Sequence, residues 1–328
     1  MSSDSIGQKT DVVVVGPGAI GCLFASMLGR GENSITILDR CPERAAYIER
    51  NGVTLEWGNE THLVPVSVLF HPHADTPQAD VILVCVKSYD TEEAAKSILP
   101  FIGPHTLIAS LQNGIGNIER ITGVTGHDRT AAVLTSIGAT LLGDGHVRYA
   151  GSGPTIITGG SCCKLPGECL AEVIQRSGIS AGWHDNPKAA IWSKAVVNAA
   201  INPITAVSNV PNGEVVSRPE LRDLMASAAQ EAQAVAEANG IALLYDDAAE
   251  EAACVCRNTH TNISSMLQDI RSRRRTEIDA ITGEILMAAR SAGIPVPVNE
   301  SLFEQVKALE GREDHSPTSN VQRPTSNV

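Results

Sequence analysis

The chain has 328 residues, enough for two ordinary domains, each with a real core. Its 37 acidic against 25 basic residues leave a formal net charge of −12, which excludes the concentrated basic face that nucleic acid or an anionic membrane surface requires. Eight cysteines without a paired CxxC argue against a zinc site or a disulfide framework, so no metal is expected, and no apolar run is long enough to span a bilayer.

The start, MSSDSIGQKTD, is polar and carries no secretory signal, which points to a cytoplasmic protein. Asp11 to Val15 (DVVVV) then reads as a strand buried on both faces, as in a parallel sheet. Gly16-Pro17-Gly18-Ala19-Ile20-Gly21 follows, then the helical run CLFASMLGRG, then a second short strand, Ser34 to Leu38, ending in Asp39-Arg40. Asp80–Val86 and Thr106–Leu111 are further buried strands, and Ala131–Ser136, His146–Ala150 and Thr155–Thr158 are shorter candidates. Strands alternating with helical stretches predict an open parallel sheet. The character changes at Asp185–Pro187, and from Lys188 to about Glu310 nearly everything has helical spacing. The expected architecture is α/β: a Rossmann-type dinucleotide-binding domain over 1–186, an all-α domain over 187–310, and a disordered polar tail over 311–328 that contains PTSNV twice.

The spacing G-x-G-x-x-G after a buried strand is the dinucleotide fingerprint. Gly16 makes the tight turn, Gly18 lets backbone approach a pyrophosphate, and Gly21 lets helix and strand pack closely. An acid at the end of the second strand suits the ribose of NAD, whereas an arginine suits the 2′-phosphate of NADP. This chain has both, Asp39 and Arg40, so NADPH is the expected cofactor with NADH left open by Asp39.

KAVVNAAINPITAVSNVPNG, from Lys194 to Gly213, raises a different question. Lys194, Asn198 and Asn202 recur every four residues and therefore share one face of an otherwise apolar helix. The bland account has Lys194 in solvent and the asparagines as satisfied core amides. Pro203, however, should kink or end the helix, and Pro211-Asn212-Gly213 is turn chemistry that brings Asn212 close behind the stripe. Buried carboxamides without partners would cost about 1–3 kcal/mol each, a penalty that a polar ligand removes. Lys87, in VKSYD, and Asn113, in LQNGIG, lie at the carboxyl ends of two strands, where ligands bind in such folds.

Five blocks together resemble the 2-dehydropantoate 2-reductase, or ketopantoate reductase, family across residues 11–310. They are GPGAIG; VKSYDT; LQNGIGN; Lys194-x3-Asn198-x3-Asn202-Pro203 with its following PNG; and SSMLQDIRSRRRTEID from Ser264 to Asp279. The resemblance implies NADPH-dependent reduction of ketopantoate to pantoate on the route to pantothenate and coenzyme A. It places the catalytic acid on Lys194 and substrate contacts on Asn198, Asn202, Asn212 and Ser265. It places Glu277 beside the cofactor and the lysine. Cofactor contacts fall on Lys87, Asn113, an alanine placed at Ala139, and Arg40, with Asp39 as the departure.

The plainer accounts of these residues are a helix N-cap for Ser264–Ser265, with Gln268 or Asp269 as its partner, and an acidic helix face for Glu277 and Asp279 opposite Arg273–Arg275. The run Arg271, Arg273–Arg275 reads as a mostly solvated helix face. The rival functions are another NAD(P)-dependent 2- or 3-hydroxy acid dehydrogenase of the same plan, and an NADPH-binding redox sensor without turnover. The only partner expected is a small 2-oxo acid, and a homodimer is left open.

Overall fold

The computed structural model describes residues 9–311 except 32, 74 and 152. Residues 1–8 and, beyond Gly311, the expected disordered tail with its two PTSNV copies lie outside the described residues.

The strands, in chain order, are β1 (Asp11–Val15), β2 (Ser34–Leu38), β3 (Val53–Trp57), β4 (Glu60–Val64), β5 (Ser67–Leu69), β6 (Val81–Val84), β7 (Leu107–Ser110), β8 (Thr130–Thr135), β9 (Gly138–Gly143), β10 (His146–Gly151), β11 (Thr155–Gly159) and β12 (Ala181–His184). Eight of them form one sheet in the order β12-β11-β8-β7-β6-β1-β2-β5. All its pairings are parallel except β11 with β8, so the sheet is mixed rather than purely parallel. The chain reverses winding direction at β1, which pairs with β2 on one side and β6 on the other. That reversal opens a crevice at the carboxyl ends of β1 and β6.

A second sheet, β4-β3-β10-β9, was not anticipated. It packs on helix Ala19–Gly29 and shares that helix's core, with Leu55 and Val147 buried beside Leu23 and Phe24. The candidate strand at His146–Ala150 belongs to this sheet, not to the nucleotide-binding one. The opposite face of the large sheet is covered by helices Thr91–Ser97 and Asn117–Thr125 over Val13, Val15, Ile82 and Ile108. Each of those fully buried aliphatic side chains contributes about 1.5–3 kcal/mol of transfer free energy.

Helix Pro187–Ser208 begins the helical part. Asn186 caps it, its side-chain oxygen accepting from the Ala189 amide at 3.1 Å, and Pro187 takes the first helical position, where a missing N–H costs nothing. It is about 33 Å long and buried nearly all round. Its first turns pack through Ala190 and Ile191 on Leu134 and Ile156 of the sheet, and the rest enters the helical core against Ala228, Ala229 and Ala232 of helix Pro219–Ala238. Pro203 does not end it: the helix runs on to Ser208 and stops where Asn209 takes a left-handed φ of 54°. Five helical residues still follow the proline, and the Thr205 hydroxyl donates to the Asn202 carbonyl at 2.8 Å.

Candidate active site

The glycine turn takes the shape its sequence requires. Gly16 has a φ of 91° and its amide reaches the Leu38 carbonyl at 3.0 Å, tying β1 to β2. A Cβ on Gly21 would collide with the Gly16 carbonyl, whereas a Cβ on Gly18 would meet nothing within 4 Å. Open space over Gly18 lies at the N-terminus of helix Ala19–Gly29, whose first turn has no acid and no side-chain cap. Free N–H groups and a helix-dipole positive end facing open space fit a dinucleotide pyrophosphate.

At the end of β2 the two competing residues part company. Asp39 is 1% exposed and its carboxylate is gripped by Arg44, Nε to Oδ2 and Nη2 to Oδ1, both at 2.6 Å, while the Cys41 amide donates to Oδ1 at 3.1 Å. Arg40 is largely exposed and pairs with Asp90 at 3.1 Å and Glu93 at 3.4 Å, across the crevice on the segment after β6. Asp90 holds its guanidinium above the ordinary arginine range. Ala139 lies on β9 opposite Tyr149, packed on the core under helix Ala19–Gly29.

The other end of the crevice is buried. Glu277, 6% exposed, accepts from the Ser88 amide at 3.0 Å and from Asn113 Nδ2 at 3.3 Å, and its Oε2 is 3.8 Å from the Lys87 ammonium. Lys87 itself makes a direct charged hydrogen bond to Asp269 Oδ2 on helix Ser265–Arg271. Burial alone would loosen the Lys87 proton, but Glu277 and Asp269 reverse that and raise its affinity above the ordinary lysine value. Glu277 is therefore no surface acid. Asp279 is the one that faces Arg275, at 3.0 Å, together with Lys307, at 3.1 Å.

Lys194 and Asn198 are half-buried and Asn202 is buried. The Lys194 ammonium has no hydrogen bond or ion pair among the described residues; burial pushes its pKa down to about 8, with the Glu277 charge opposing the fall. Asn212 gives its Nδ2 to Thr259 at 2.8 Å and keeps its buried Oδ1 unpartnered among the described residues. Ser264 is the cap, accepting from the Leu267 amide at 3.1 Å and bonding Thr205 at 2.7 Å; Ser265 stands exposed in the first turn. The basic run is not a helix face: the helix ends at Arg271, and Arg273–Arg275 lie in the turn beyond. There Arg274 approaches Asp269 at 3.4 Å and Arg275 stacks 4.8 Å over Tyr89.

Backbone completes the seam between the two halves. The Ile115 amide donates to the Ala280 carbonyl at 2.9 Å, and Gly114, φ 97°, leaves no room for a Cβ beside that carbonyl. Ala280 can offer it because residues Asp279–Gly283 form a π-helical turn, which displaces carbonyls from their α-helical donors. Arg120 and Glu284 add an ion pair across the same seam. Asp269, Arg44 and the Ser88 amide are the site groups that motif reading passes over; Asp269 carried a signal, an acid buried in a block dense with arginines. Among the described residues no group of three or more His, Cys, Asp or Glu is placed to hold a metal, and no helix is long and apolar enough to cross a membrane.

A doubly wound sheet with its glycine turn, closed against a helical unit, defines an oxidoreductase that uses a nicotinamide dinucleotide. Models of the ketopantoate reductase PanE/ApbA family match residues 12–160, and those of its C-terminal part match 186–310. The chain belongs to that family. It is 35% identical to a 2-dehydropantoate 2-reductase from Archaeoglobus fulgidus, over 91% of this chain and 97% of the relative. Among solved structures, a PanE/ApbA family ketopantoate reductase from Ralstonia eutropha superposes with a TM-score of 0.81 at 31% identity, covering 91% of this chain and 97% of the other. A D-mandelate dehydrogenase solved with NADH and anilino(oxo)acetate superposes with a TM-score of 0.84 at 25% identity, covering 91% and 98%.

Proposed function

We propose that the protein reduces 2-dehydropantoate to (R)-pantoate with NADPH, in pantothenate and coenzyme A biosynthesis, with Lys194 as the general acid. The observation that carries this reading is the state of Lys194: crowded by protein, in the field of Glu277, and without a hydrogen-bond partner of its own among the described residues. Such an ammonium is primed to meet a substrate oxygen.

When bound, the dihydronicotinamide supplies the hydride for the C2 carbonyl carbon. Negative charge then builds on the carbonyl oxygen, where Lys194 stabilises it and delivers the proton. Its pKa of about 8 keeps it protonated at neutral pH yet willing to release. Glu277, fixed by the Ser88 amide and Asn113, keeps that pKa from falling further. Asn198, Asn202 and the free Asn212 oxygen hold the substrate hydroxyl and carboxylate, with Ser265 at the carboxylate end. Gly16 to Gly21 cradle the pyrophosphate, and Lys87, Asn113 and Ala139 line the cofactor's path. The preference for NADPH rests on Arg40 being solvent-accessible for a 2′-phosphate while Asp39 is buried and already paired with Arg44. Work in the cytoplasm on a small 2-oxo acid, without nucleic acid or membrane, is part of the same reading.

A second reading is an NADH-dependent D-2-hydroxy acid dehydrogenase, favoured by the likeness to D-mandelate dehydrogenase. A steady-state panel separates them: 2-dehydropantoate and aryl 2-oxo acids, each with NADPH and with NADH. The expected result is consumption of NADPH with 2-dehydropantoate by a wide margin, falling as pH rises through about 8 while the acid loses its proton. A faster reaction of NADH with the aryl acid would replace the first reading by the second.

A further inference from the structure

Two lysines lie in the field of the same buried glutamate. Lys87 Nζ is 3.8 Å from Glu277 Oε2, and the Glu277 charge acts on Lys194 as well. Lys87 gives its direct charged hydrogen bond to the Asp269 Oδ2 instead, across 182 residues of sequence. Asp269 is itself 2% exposed and anchored: its Oδ1 faces Arg274 Nε at 3.4 Å, and the Arg274 amide donates to its carbonyl at 2.8 Å. The Tyr89 phenol, pushed up by burial, adds no charge. The charged groups facing this cluster are thus Lys87 from the strand end, Arg274 from the turn, Asp269 and Glu277 from the helical half, and Lys194 from the long helix.

We infer that Asp269 is a positioning residue: by holding the Lys87 ammonium it leaves the Glu277 carboxylate to serve Lys194. The inference rests on the reading of Lys194 as the acid. Removing the Asp269 charge turns Lys87 to the other buried carboxylate beside it, Glu277. Glu277 is then neutralised by the wrong lysine, and Lys194, left in its crowded place without a counter-charge, gives up its proton at lower pH. The rate at neutral pH falls although no group touching substrate has changed.

The test is the pH profile of kcat/KM for Asp269→Asn, beside a lysine-labelled NMR titration of Lys194 in the full chain without substrate. In wild type the basic limb should fall near 8, where burial places the Lys194 ammonium. In Asp269→Asn both the limb and the Lys194 resonance should move down by on the order of one pH unit, a tenfold change in proton affinity. Asp269→Glu should return them, and so should Lys87→Met added to Asp269→Asn, because Glu277 is then released. A limb present in wild type but unmoved in Asp269→Asn overturns the inference alone, whatever the loss of rate. A limb that Lys87→Met does not bring back has the same result. A wild type whose Lys194 does not titrate in this range overturns the acid reading and the inference together.

Discussion

The two ends of the crevice hold similar residues in opposite circumstances. At the rim after β2, Arg40 is exposed and shared between two acids on the facing segment. At the seam between the halves, Lys87, Lys194, Asp269 and Glu277 are crowded together with few alternatives. Exposed ion pairs contribute about 0–1 kcal/mol, so a phosphate reaching Arg40 would displace Asp90 and Glu93 at small cost. Buried groups have no water to fall back on, so each charge there shifts the proton affinity of its neighbour. The rim is built to exchange partners and the seam to hold charges in fixed order.

The sharpest way to break this contrast is Lys194→Ala. It should lower kcat by about a thousandfold, the scale of losing an oxyanion donor that also acts as acid, with the Kd for NADPH nearly unchanged. Comparable turnover in single-turnover kinetics would remove the seam from the chemistry. Next is Gly114→Val, whose side chain would drive into the Ala280 carbonyl and pry the halves apart. We expect kcat/KM to drop on the order of a hundredfold, as a misplacement of about 1 Å does, and the melting temperature to fall with it; assays well below the lowered melting temperature distinguish misalignment from unfolding.

The rim should respond more gently. Arg40→Ala should weaken NADPH about tenfold and NADH hardly at all. Arg44→Leu, which uncovers Asp39, should lower the NADPH/NADH preference by a similar factor; titrating both cofactors against both variants checks each role, and an equal loss for both cofactors would deny Arg40 its phosphate. The smallest effect is on stability. The folded pKa of Lys194, about 8, lies below its ordinary 10.5. The fold therefore disfavours the ammonium, with the full penalty below about 8 and none of it left above the ordinary value. Lys194→Met should melt several degrees higher at neutral pH, and calorimetry should show that gain shrinking as pH climbs between those two values.

Much of this was legible in the chain because local chemistry specified it. DVVVV followed by GPGAIG allows little besides a buried strand and a phosphate turn, and Asn186-Pro187 is a helix start by cap and first-turn chemistry alone. The second sheet was missed although Gly58-Asn59 between Val53–Trp57 and Glu60–Val64 is a hairpin signal; the strands carry mixed polar residues and pair β3 with β10 across some ninety positions, a contact no local pattern announces. Pro203 does not end its helix because tertiary packing on both sides of a long buried helix outweighs one lost hydrogen bond. Asp39 and Asp269 show the same limit at the site. Each is an acid whose meaning depends on a cation that only folding brings beside it, Arg44 one turn into the next helix and Lys87 from the other half of the chain.

The hydrogen bond from the Ile115 amide to the Ala280 carbonyl makes one backbone proton a reporter of the seam. It exchanges with deuterium when that bond breaks, so its exchange rate measures how firmly the two halves are latched there, with no label attached and no catalysis required.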